Sequence, residues 1–218
     1  MDQNIITVRN ATKRFGEETV LQGVTVEFER GKIHGIIGRN GSGKTMLFKC
    51  ICGLMTLSSG EIIVNGKKIG KDTDVPDRVG MIIESPGFLL NYSGYGNLRL
   101  LASINHRIGK EDIYDALEKV GLEAAGRKHV RKYSLGMRQR LGIAQAIMEN
   151  PELLIFDEPF NGLDNQGVED MRKLFLALKE EGKTILIASH NAEDIEILCD
   201  HVYRMEVGKL MLHEKHMG

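Results

Sequence analysis

The pattern of hydrophobic and polar positions divides the chain into three parts. In the first third, short apolar runs rich in β-branched residues recur at Ile5–Val8, Val24–Phe28, Ile33–Ile37 and Glu61–Val64. Runs of this length and composition predict β-strands, and Asn65-Gly66, directly after the last run, predicts a tight turn. The N-terminal third is therefore predicted to be mostly sheet, and we expect it to include an antiparallel β subdomain.

From about Tyr92 to Asn150 the period of the pattern lengthens. Apolar residues now recur at intervals of three and four, as at Ile113, Leu117 and Val120. Intervals of this kind predict amphipathic helices, and no long apolar run interrupts them. We interpret the segment from about 85 to 150 as a helical subdomain inserted between strands.

The last third alternates between strands and helices. The pattern predicts strands at Leu153–Phe156 and Thr184–Ala188, and helices at Val168–Lys179 and Ala192–Leu198. Such alternation favours a parallel sheet that is covered by helices on both faces. Because the sequence contains no internal repeat or linker, the chain is predicted to be one α/β domain over residues 1–218.

Composition narrows the classes of function. The 218 residues are 42% hydrophobic and 27% charged, and 29 Lys and Arg are balanced by 30 Asp and Glu. These values are ordinary for a globular protein and indicate no nucleic-acid partner, since nucleic-acid-binding domains carry basic patches. No stretch approaches the roughly 18 apolar residues of a membrane span, so we expect no direct membrane insertion. Cys50, Cys52 and Cys199 lack the spacing of a metal or redox motif, which favours reduced thiols in a cytosolic protein.

The clearest chemical signal follows the predicted strand Ile33–Ile37. The sequence from 38 to 45, Gly-Arg-Asn-Gly-Ser-Gly-Lys-Thr, fits the pattern G-x-x-x-x-G-K-[ST] of a phosphate-binding loop and leads into a predicted helix. Backbone N–H groups of such a loop point at phosphates, and the helix N-terminus adds favourable dipole charge. Lys44 is expected to reach the β- and γ-phosphates, and the Thr45 hydroxyl to bind Mg²⁺. The predicted nucleotide contacts in this segment are Gly38, Asn40, Gly41, Ser42, Gly43, Lys44, Thr45 and Met46.

A chance match to this pattern is expected on the order of 1% of the time in a chain of this length. The sequence therefore predicts a nucleoside triphosphate site. The loop alone does not separate an ATPase from a GTPase or a kinase.

Two carboxylates follow a predicted apolar strand. Asp157 is expected to hold Mg²⁺ through its water shell, and Glu158 to polarise a water for attack on the γ-phosphate. An Asp-Glu pair at a strand end is also common without such a role. The next predicted strand ends in Ser189 and His190, and ligands of open α/β sheets bind at this carboxyl edge. We therefore predict Glu158, His190 and Lys44 as catalytic residues, with His190 contacting the γ-phosphate.

These residues together resemble the nucleotide-binding domain of ABC transporters, and the resemblance covers essentially the whole chain. The segment 133–140, Tyr-Ser-Leu-Gly-Met-Arg-Gln-Arg, is similar to the signature of this family, usually written L-S-G-G-Q. Other phosphate-loop families lack this signature. The resemblance implies an ATPase that uses ATP and Mg²⁺. It also implies a phosphate-loop core with an N-terminal antiparallel β subdomain and an inserted helical subdomain.

The resemblance further implies a head-to-tail dimer, formed by two copies of the chain or by two paired nucleotide-binding domains. ATP on the phosphate loop of one subunit is then covered by Ser134 and Gly136 of the other. Asp164 belongs to the loop that contacts the opposite subunit, and Phe15 corresponds to the aromatic residue that stacks on adenine. Two alternatives stay open, because Ser134 also suits a helix N-cap and Phe15 could pack within the β subdomain.

Two segments depart from the family pattern. Glu84 follows the predicted strand Val79–Ile83 where the family has Gln, and an ionised Glu accepts hydrogen bonds but donates none. We predict that Glu84 holds Mg²⁺ or water, which requires its charge to be compensated; alternatively, it only begins a loop. Leu135 and Met137 replace Gly and Gln of the signature. In both segments the chain is similar to exporters of the bacitracin and lantibiotic-immunity type.

We therefore predict the ATP-binding subunit of an ABC transporter, located in the cytoplasm on the inner face of the cell membrane. It would act through separate transmembrane permease subunits, and the narrower resemblance favours export of an antibiotic, peptide or lipid-like compound. One alternative is a soluble ABC-type ATPase, but such proteins usually have two fused motor domains or a long coiled coil. The other is a nucleotide-dependent switch, which would be favoured if Glu158 or His190 were replaced.

Overall fold

Residues 3–213 are described by the computed structural model, and their first part forms an antiparallel sheet. Its strand order is β2-β1-β4-β5. The strands are β1 (Asn4–Phe15), β2 (Glu18–Glu29), β4 (Ser59–Val64) and β5 (Lys67–Lys68), with labels that follow the chain. The turn predicted at Asn65-Gly66 joins β4 to β5. β1 and β2 are longer than predicted because bulges let the ladder continue past polar and glycine positions.

A second sheet of six strands has the order β10-β9-β3-β8-β7-β6. Its strands are β3 (Ile33–Ile37), β6 (Val79–Ile82), β7 (Leu153–Asp157), β8 (Thr184–Ser189), β9 (His201–Glu206) and β10 (Lys209–His213). Neighbouring strands from β9 to β6 are parallel, and β10 is antiparallel to β9. All residues of β3, β7 and β8 are buried, as their continuous apolar runs predict. The sequence prediction missed β9 and β10.

The helices are α1 (Lys44–Ile51), α2 (Gly94–Asn105), α3 (Lys110–Lys119), α4 (Leu135–Ile147), α5 (Asn165–Glu180) and α6 (Ala192–Leu198), with a 3₁₀ turn at Val130–Lys132. The hydroxyls of Ser93 and Ser134 cap α2 and α4, and the Asp164 carboxylate caps α5. Each side chain accepts a hydrogen bond from the backbone N–H three residues on, which explains where these helices begin. The α/β class is confirmed; the bounds 85 and 150 of a helical subdomain stay a prediction.

Two hydrophobic clusters hold the α1 helix and the strand ends in place. One lies between the antiparallel sheet, α1 and one face of the six-stranded sheet, and it includes Phe28 and Phe48. The other lies under α2 to α6, where the rings of Phe156 and Phe175 stack with centroids 4.8 Å apart. Because the six-stranded sheet is packed on both faces, its carboxyl edge is a rigid platform for side chains.

Candidate active site

The phosphate loop connects β3 to α1 at the carboxyl edge of the six-stranded sheet. Its last glycine, Gly43, is the N-cap of α1 and has a φ of 113°, which side-chain-bearing residues rarely adopt. A Cβ atom at this position would lie 3.0 Å from the carbonyl oxygen of Val20 in β2. The loop therefore needs glycine both for its dihedral angle and for its close approach to the antiparallel sheet.

Lys44 points into the concave side of this loop. Its side chain is buried, and Nζ donates hydrogen bonds to the carbonyl oxygens of Gly38 and Arg39, at 2.7 and 3.2 Å. Among the described residues, Ser42 Oγ is buried without a hydrogen-bond partner in the same loop. A buried ammonium and an unpaired hydroxyl inside a ring of backbone amides fit an oxygen-rich anion such as a phosphate chain.

The end of β7 places Asp157 against the first turn of α1. Thr45 Oγ1 donates to Asp157 Oδ2 at 2.6 Å. Burial raises the pKa of the Asp157 carboxyl; the Thr45 hydrogen bond opposes this, and the neighbouring Glu158 charge adds to it. A buried carboxylate beside a hydroxyl is a donor set that suits Mg²⁺, because a cation would offset the cost of burying the charge.

Glu158 follows with a strained backbone that the fold holds in place. Its φ is 53°, its N–H donates to the Ala188 carbonyl at 2.8 Å, and its own carbonyl accepts from Gln139 Nε2 at 3.2 Å. Left-handed conformations are uncommon for residues other than Gly, Asn and Asp, and they cluster at functional sites. The hydrogen bonds on both sides of Glu158 fix the direction in which its side chain leaves the sheet.

The two carboxylate oxygens of Glu158 have different surroundings. Oε2 lies 2.9 Å from His190 Nδ1 and accepts from Ser189 Oγ at 3.2 Å. Oε1 lies 4.0 Å from Lys44 Nζ and has no hydrogen-bond partner within residues 3–213, although it is buried. Oε2 therefore holds the side chain in one orientation, whereas Oε1 faces Lys44 and is free to accept a hydrogen bond.

A cleft of about 390 Å³ brings most of the predicted site together. Predicted residues that line it are Asn40, Gly41, Ser42, Gly43, Lys44, Thr45, Met46, Glu84, Asp157 and Glu158. Gly38 and His190 line an adjoining cleft that shares part of the loop. Phe15, Ser134, Gly136 and Asp164 belong to other parts of the surface.

Glu84 lies two residues beyond β6 and has a φ of 63°. Its Oε1 accepts from Lys49 Nζ at 2.7 Å, across the end of the cleft. Lys49 is thus the compensating charge that the sequence analysis required for Glu84 and did not find. The two residues are 35 positions apart, so their pairing leaves no local signal in the sequence.

The remaining predicted residues lie on outer surfaces. The Phe15 ring, at the end of β1, is 46% exposed and has Lys13 Nζ 4.7 Å from its centroid. Ser134 and Asp164 are N-caps, as already described. A Cβ atom on Gly136 would lie 2.7 Å from the Gly162 carbonyl oxygen, so the start of α4 touches the loop before α5. The 134–136 segment and the 161–164 loop therefore form one continuous surface.

Sequence reasoning did not assign a role to Gln139. This side chain is buried on α4, within the 133–140 segment, and its amide donates to the Glu158 backbone carbonyl. It links α4 to the backbone of Glu158, the residue directly after β7. A polar residue on the buried face of a predicted helix is the only signal that could have identified it.

Within the described part of the chain, every helix is too short or too polar to cross a bilayer.

Comparison with known proteins identifies the family. The family model described as "ABC transporter" matches residues 21–161. An uncharacterised ABC transporter ATP-binding protein of Bacillus subtilis, YybJ, is 43% identical over 97% of both chains. The bacitracin transport ATP-binding protein BcrA of Enterococcus faecalis is 43% identical over 95% of this chain and 68% of its own. The lantibiotic transport ATP-binding protein SrtF of Streptococcus pyogenes is 36% identical over 98% of this chain and 92% of its own.

A solved structure gives the same result for the fold. The structure of cbiO1 from Clostridium perfringens, part of the ABC transporter complex cbiONQ, has a TM-score of 0.84. The two sequences are 28% identical, and the matched region covers 97% of this chain and 88% of the cbiO1 chain. The soluble ATPase and the non-catalytic switch gain no support from these comparisons. The chain therefore belongs to the ABC transporter family, as an ATP-binding subunit that hydrolyses ATP for a transporter.

Proposed function

We propose that the chain works as one half of a head-to-tail dimer in which Glu158 activates the water that attacks the γ-phosphate of ATP. The observation that carries this proposal is the divided environment of the Glu158 carboxylate. Oε2 is held by Ser189 and His190, while Oε1 has an unused acceptor 4.0 Å from Lys44 Nζ. A base that is oriented through one oxygen and open at the other is suited to polarising a water.

The loop residues are proposed to bind and orient the phosphates. The Lys44 ammonium would exchange its two carbonyl partners for the β- and γ-phosphates, and the backbone N–H groups from 41 to 45 would surround them. The unpaired Ser42 hydroxyl is a further donor inside the loop. Thr45, Asp157 and Glu84 would hold Mg²⁺, which supplies positive charge that neutralises the phosphate oxygens.

Three groups are proposed to position Glu158 and the γ-phosphate. Ser189 and His190 fix the carboxylate, and His190 also contacts the γ-phosphate from the adjoining cleft. Gln139 fixes the backbone of Glu158 from α4. Because Ser134 caps the start of α4, a contact at Ser134 would be transmitted through one helix to the catalytic carboxylate.

The second subunit is proposed to complete the site. Ser134, Gly136 and Asp164 share one surface, and Leu135 within it is 63% exposed although it is apolar. We propose that this surface covers the ATP held by the partner's phosphate loop. The exposed Phe15 ring would stack on the adenine of the ATP bound to its own chain.

Transport is proposed to occur through separate membrane subunits at the inner face of the cell membrane. Leu89, Leu90 and Tyr92 lie in the segment that follows Glu84 and are about half exposed, so this segment presents apolar surface. Apolar surface of this kind is suited to a protein partner. The similarity to the bacitracin and lantibiotic transport proteins supports a peptide antibiotic as the transported compound, and we propose export.

A pair of serines provides the test of the dimer. Ser93 and Ser134 each cap a helix in the same way, but Ser134 alone belongs to the proposed contact surface. In a Glu158→Gln background, which would trap ATP in a closed dimer, Ser134→Arg should abolish dimerisation in ATP and Mg²⁺. The control Ser93→Arg loses an equivalent cap and should still dimerise. Mass would be measured by light scattering after size exclusion, and bound ATP by filter binding.

The expected result is two variants that bind ATP equally and differ in mass. A Ser134→Arg protein that still forms an ATP-dependent dimer would exclude the head-to-tail arrangement. Loss of dimers in both variants would mean that capping, and not contact with a partner, determines the effect.

A further inference from the structure

The hairpin turn between β9 and β10 touches the phosphate loop from behind. The turn residues are Val207 and Gly208, with φ of 44° and 77°, and we call them the bridging turn. Val207 is β-branched and 79% exposed, so its left-handed conformation is not offset by burial of its side chain. The strain in the backbone must therefore be held by the hydrogen bonds of the turn itself.

The bridging turn joins two parts of the molecule that are far apart in sequence. The Gly208 N–H donates to the carbonyl oxygen of Ser42 in the phosphate loop at 2.9 Å. The Gly208 carbonyl accepts from the Gln22 N–H at 2.9 Å, and the Gln22 side-chain amide donates to the Val207 carbonyl at 2.8 Å. One peptide unit is thus bonded to the phosphate loop on one side and to β2 on the other.

No side chain fits at the centre of this junction. A Cβ atom on Gly208 would lie 2.5 Å from the Val20 carbonyl oxygen, and one on Gly43 would lie 3.6 Å from the Gly208 Cα. The turn, the phosphate loop and β2 therefore meet backbone to backbone. Contacts between backbones are stiffer than contacts through long side chains, because no rotamers can relax them.

β2 carries this connection to Phe15. It pairs with β1 from Glu29 to Glu18, and the last pair, Phe15 with Glu18, closes the β1–β2 hairpin that presents the exposed ring. Gln22 lies in the same strand, four residues from Glu18. The position of the Phe15 ring relative to the phosphate loop is therefore set by the direct approach of Val20 to Gly43 and, in addition, through Gln22 and the bridging turn.

We propose that the bridging turn is a positioning element that fixes the spacing between Phe15 and the phosphate loop. The spacing allows the base and the phosphates of one nucleotide to be bound at the same time. Gln22 is the positioning residue, since its side chain and backbone both bond the turn. The proposal rests on the nucleotide site proposed above. It adds a structural reason why the site would bind a nucleoside triphosphate more tightly than the triphosphate group alone.

The test compares two ligands that share the phosphates and differ in the base. Affinities for ATP and for inorganic tripolyphosphate are measured by calorimetry, with Mg²⁺, on the full chain. Gln22→Ala removes one side-chain hydrogen bond and should lower the affinity for ATP about fivefold, while the affinity for tripolyphosphate stays unchanged. Phe15→Ala should likewise lower the affinity for ATP and leave the affinity for tripolyphosphate unchanged. Val207→Asn should match wild type for both ligands, because Asn tolerates a positive φ and keeps the turn.

Gly208→Ala should lower the affinity for both ligands and not for ATP alone. A methyl group there would push the turn away from Val20 and shift the Ser42 carbonyl, so both affinities should fall. The role of the turn is overturned if Gln22→Ala weakens both ligands equally or neither, and this readout does not depend on whether Gly208→Ala folds. A wild-type chain that binds no ATP would instead contradict the nucleotide site itself.

Discussion

The two edges of the six-stranded sheet use their polar groups differently. At the amino edge, where the parallel strands begin, Asp200 accepts from the Ile33 N–H at 2.8 Å and from Lys179 Nζ at 2.6 Å. At the carboxyl edge, Ser42 and Glu158 have buried oxygens that find no hydrogen-bond partner among the described residues, and Glu158 has a strained backbone. His34 Nδ1 at the amino edge is also buried without a hydrogen-bond partner among these residues, so the contrast concerns the carboxylates. The Asp200 carboxylate, which serves the fold, is paired internally, whereas one oxygen of Glu158 is left to be paired by a ligand.

This difference predicts that changes at the carboxyl edge affect activity without affecting stability. Glu158→Gln should lower ATP turnover about 10²- to 10⁴-fold, because the amide keeps the shape of the side chain and loses the base. The free energy of unfolding in urea should change by less than about 1 kcal/mol. Steady-state phosphate release and urea titrations are the measurements. Turnover at the wild-type rate would refute the assignment of Glu158.

The amino edge should behave in the opposite way, through His34. This side chain is buried against the Phe28 ring, with Nε2 3.0 Å from the Glu29 carbonyl. Its ionisable neighbours are His201, Asp200 and Glu29. Burial lowers the pKa of His34 to about 4. Its pKa in the unfolded chain is near 6.5, so the unfolded state binds the proton first and stability falls as the pH decreases from 6.5 to 4.

Between pH 6.5 and 4, the titration of His34 should lower the free energy of unfolding by about 3 kcal/mol. His34→Asn should be less stable at pH 7 and should lose much less stability on acidification. Urea unfolding at half-unit pH steps tests this. Equal slopes for the two proteins would show that His34 is not the group that titrates.

Lys44→Ala should weaken ATP binding about 10- to 100-fold, since charge-assisted hydrogen bonds to phosphate are lost. Lys49→Ala is the matched control on the same helix: its ammonium bonds Glu84 and not the loop carbonyls. It should bind ATP with nearly wild-type affinity. Fluorescent nucleotide titration would distinguish the two variants, and equal affinities would remove Lys44 from the phosphate site.

Changes at Glu84 should have the smallest effect, because the Glu84 side chain is largely exposed. Glu84→Gln should keep most of the ATPase rate, since the shape and one acceptor survive. Glu84→Ala should lower the rate by about fivefold, the value of one hydrogen bond. Basal and partner-stimulated ATPase are compared for both variants. If both match wild type in each assay, Glu84 neither holds the metal nor couples to the partner.

The parts of the molecule that the sequence predicted well are those encoded in adjacent residues. The phosphate loop and the Asp157-Glu158 pair are contiguous motifs, and β3, β7 and β8 were predicted to within one residue because they are short, fully buried apolar runs. The roles of these residues in catalysis remain predictions.

The features that the sequence did not predict are pairings over long distances and one unusual turn. Lys49 with Glu84, and Gln22 with Val207, are partners only because the sheets bring them together. The strands β9 and β10 were missed partly because Val207, a β-branched residue, occupies a turn position with a positive φ. Turn preferences predict Gly, Asn or Asp at such a position, so the hairpin had no recognisable signal.

The strand order β3-β8-β7-β6 has a consequence for how the chain matures. Lys44, Glu158 and His190 meet only after strands from distant parts of the sequence have paired. A chain still on the ribosome therefore has no complete nucleotide site until the segment after β8 has emerged. Since a ligand that binds only the folded state stabilises it by about 2.7 kcal/mol at 100 times its dissociation constant, ATP should protect finished chains from proteolysis and leave truncated ones exposed.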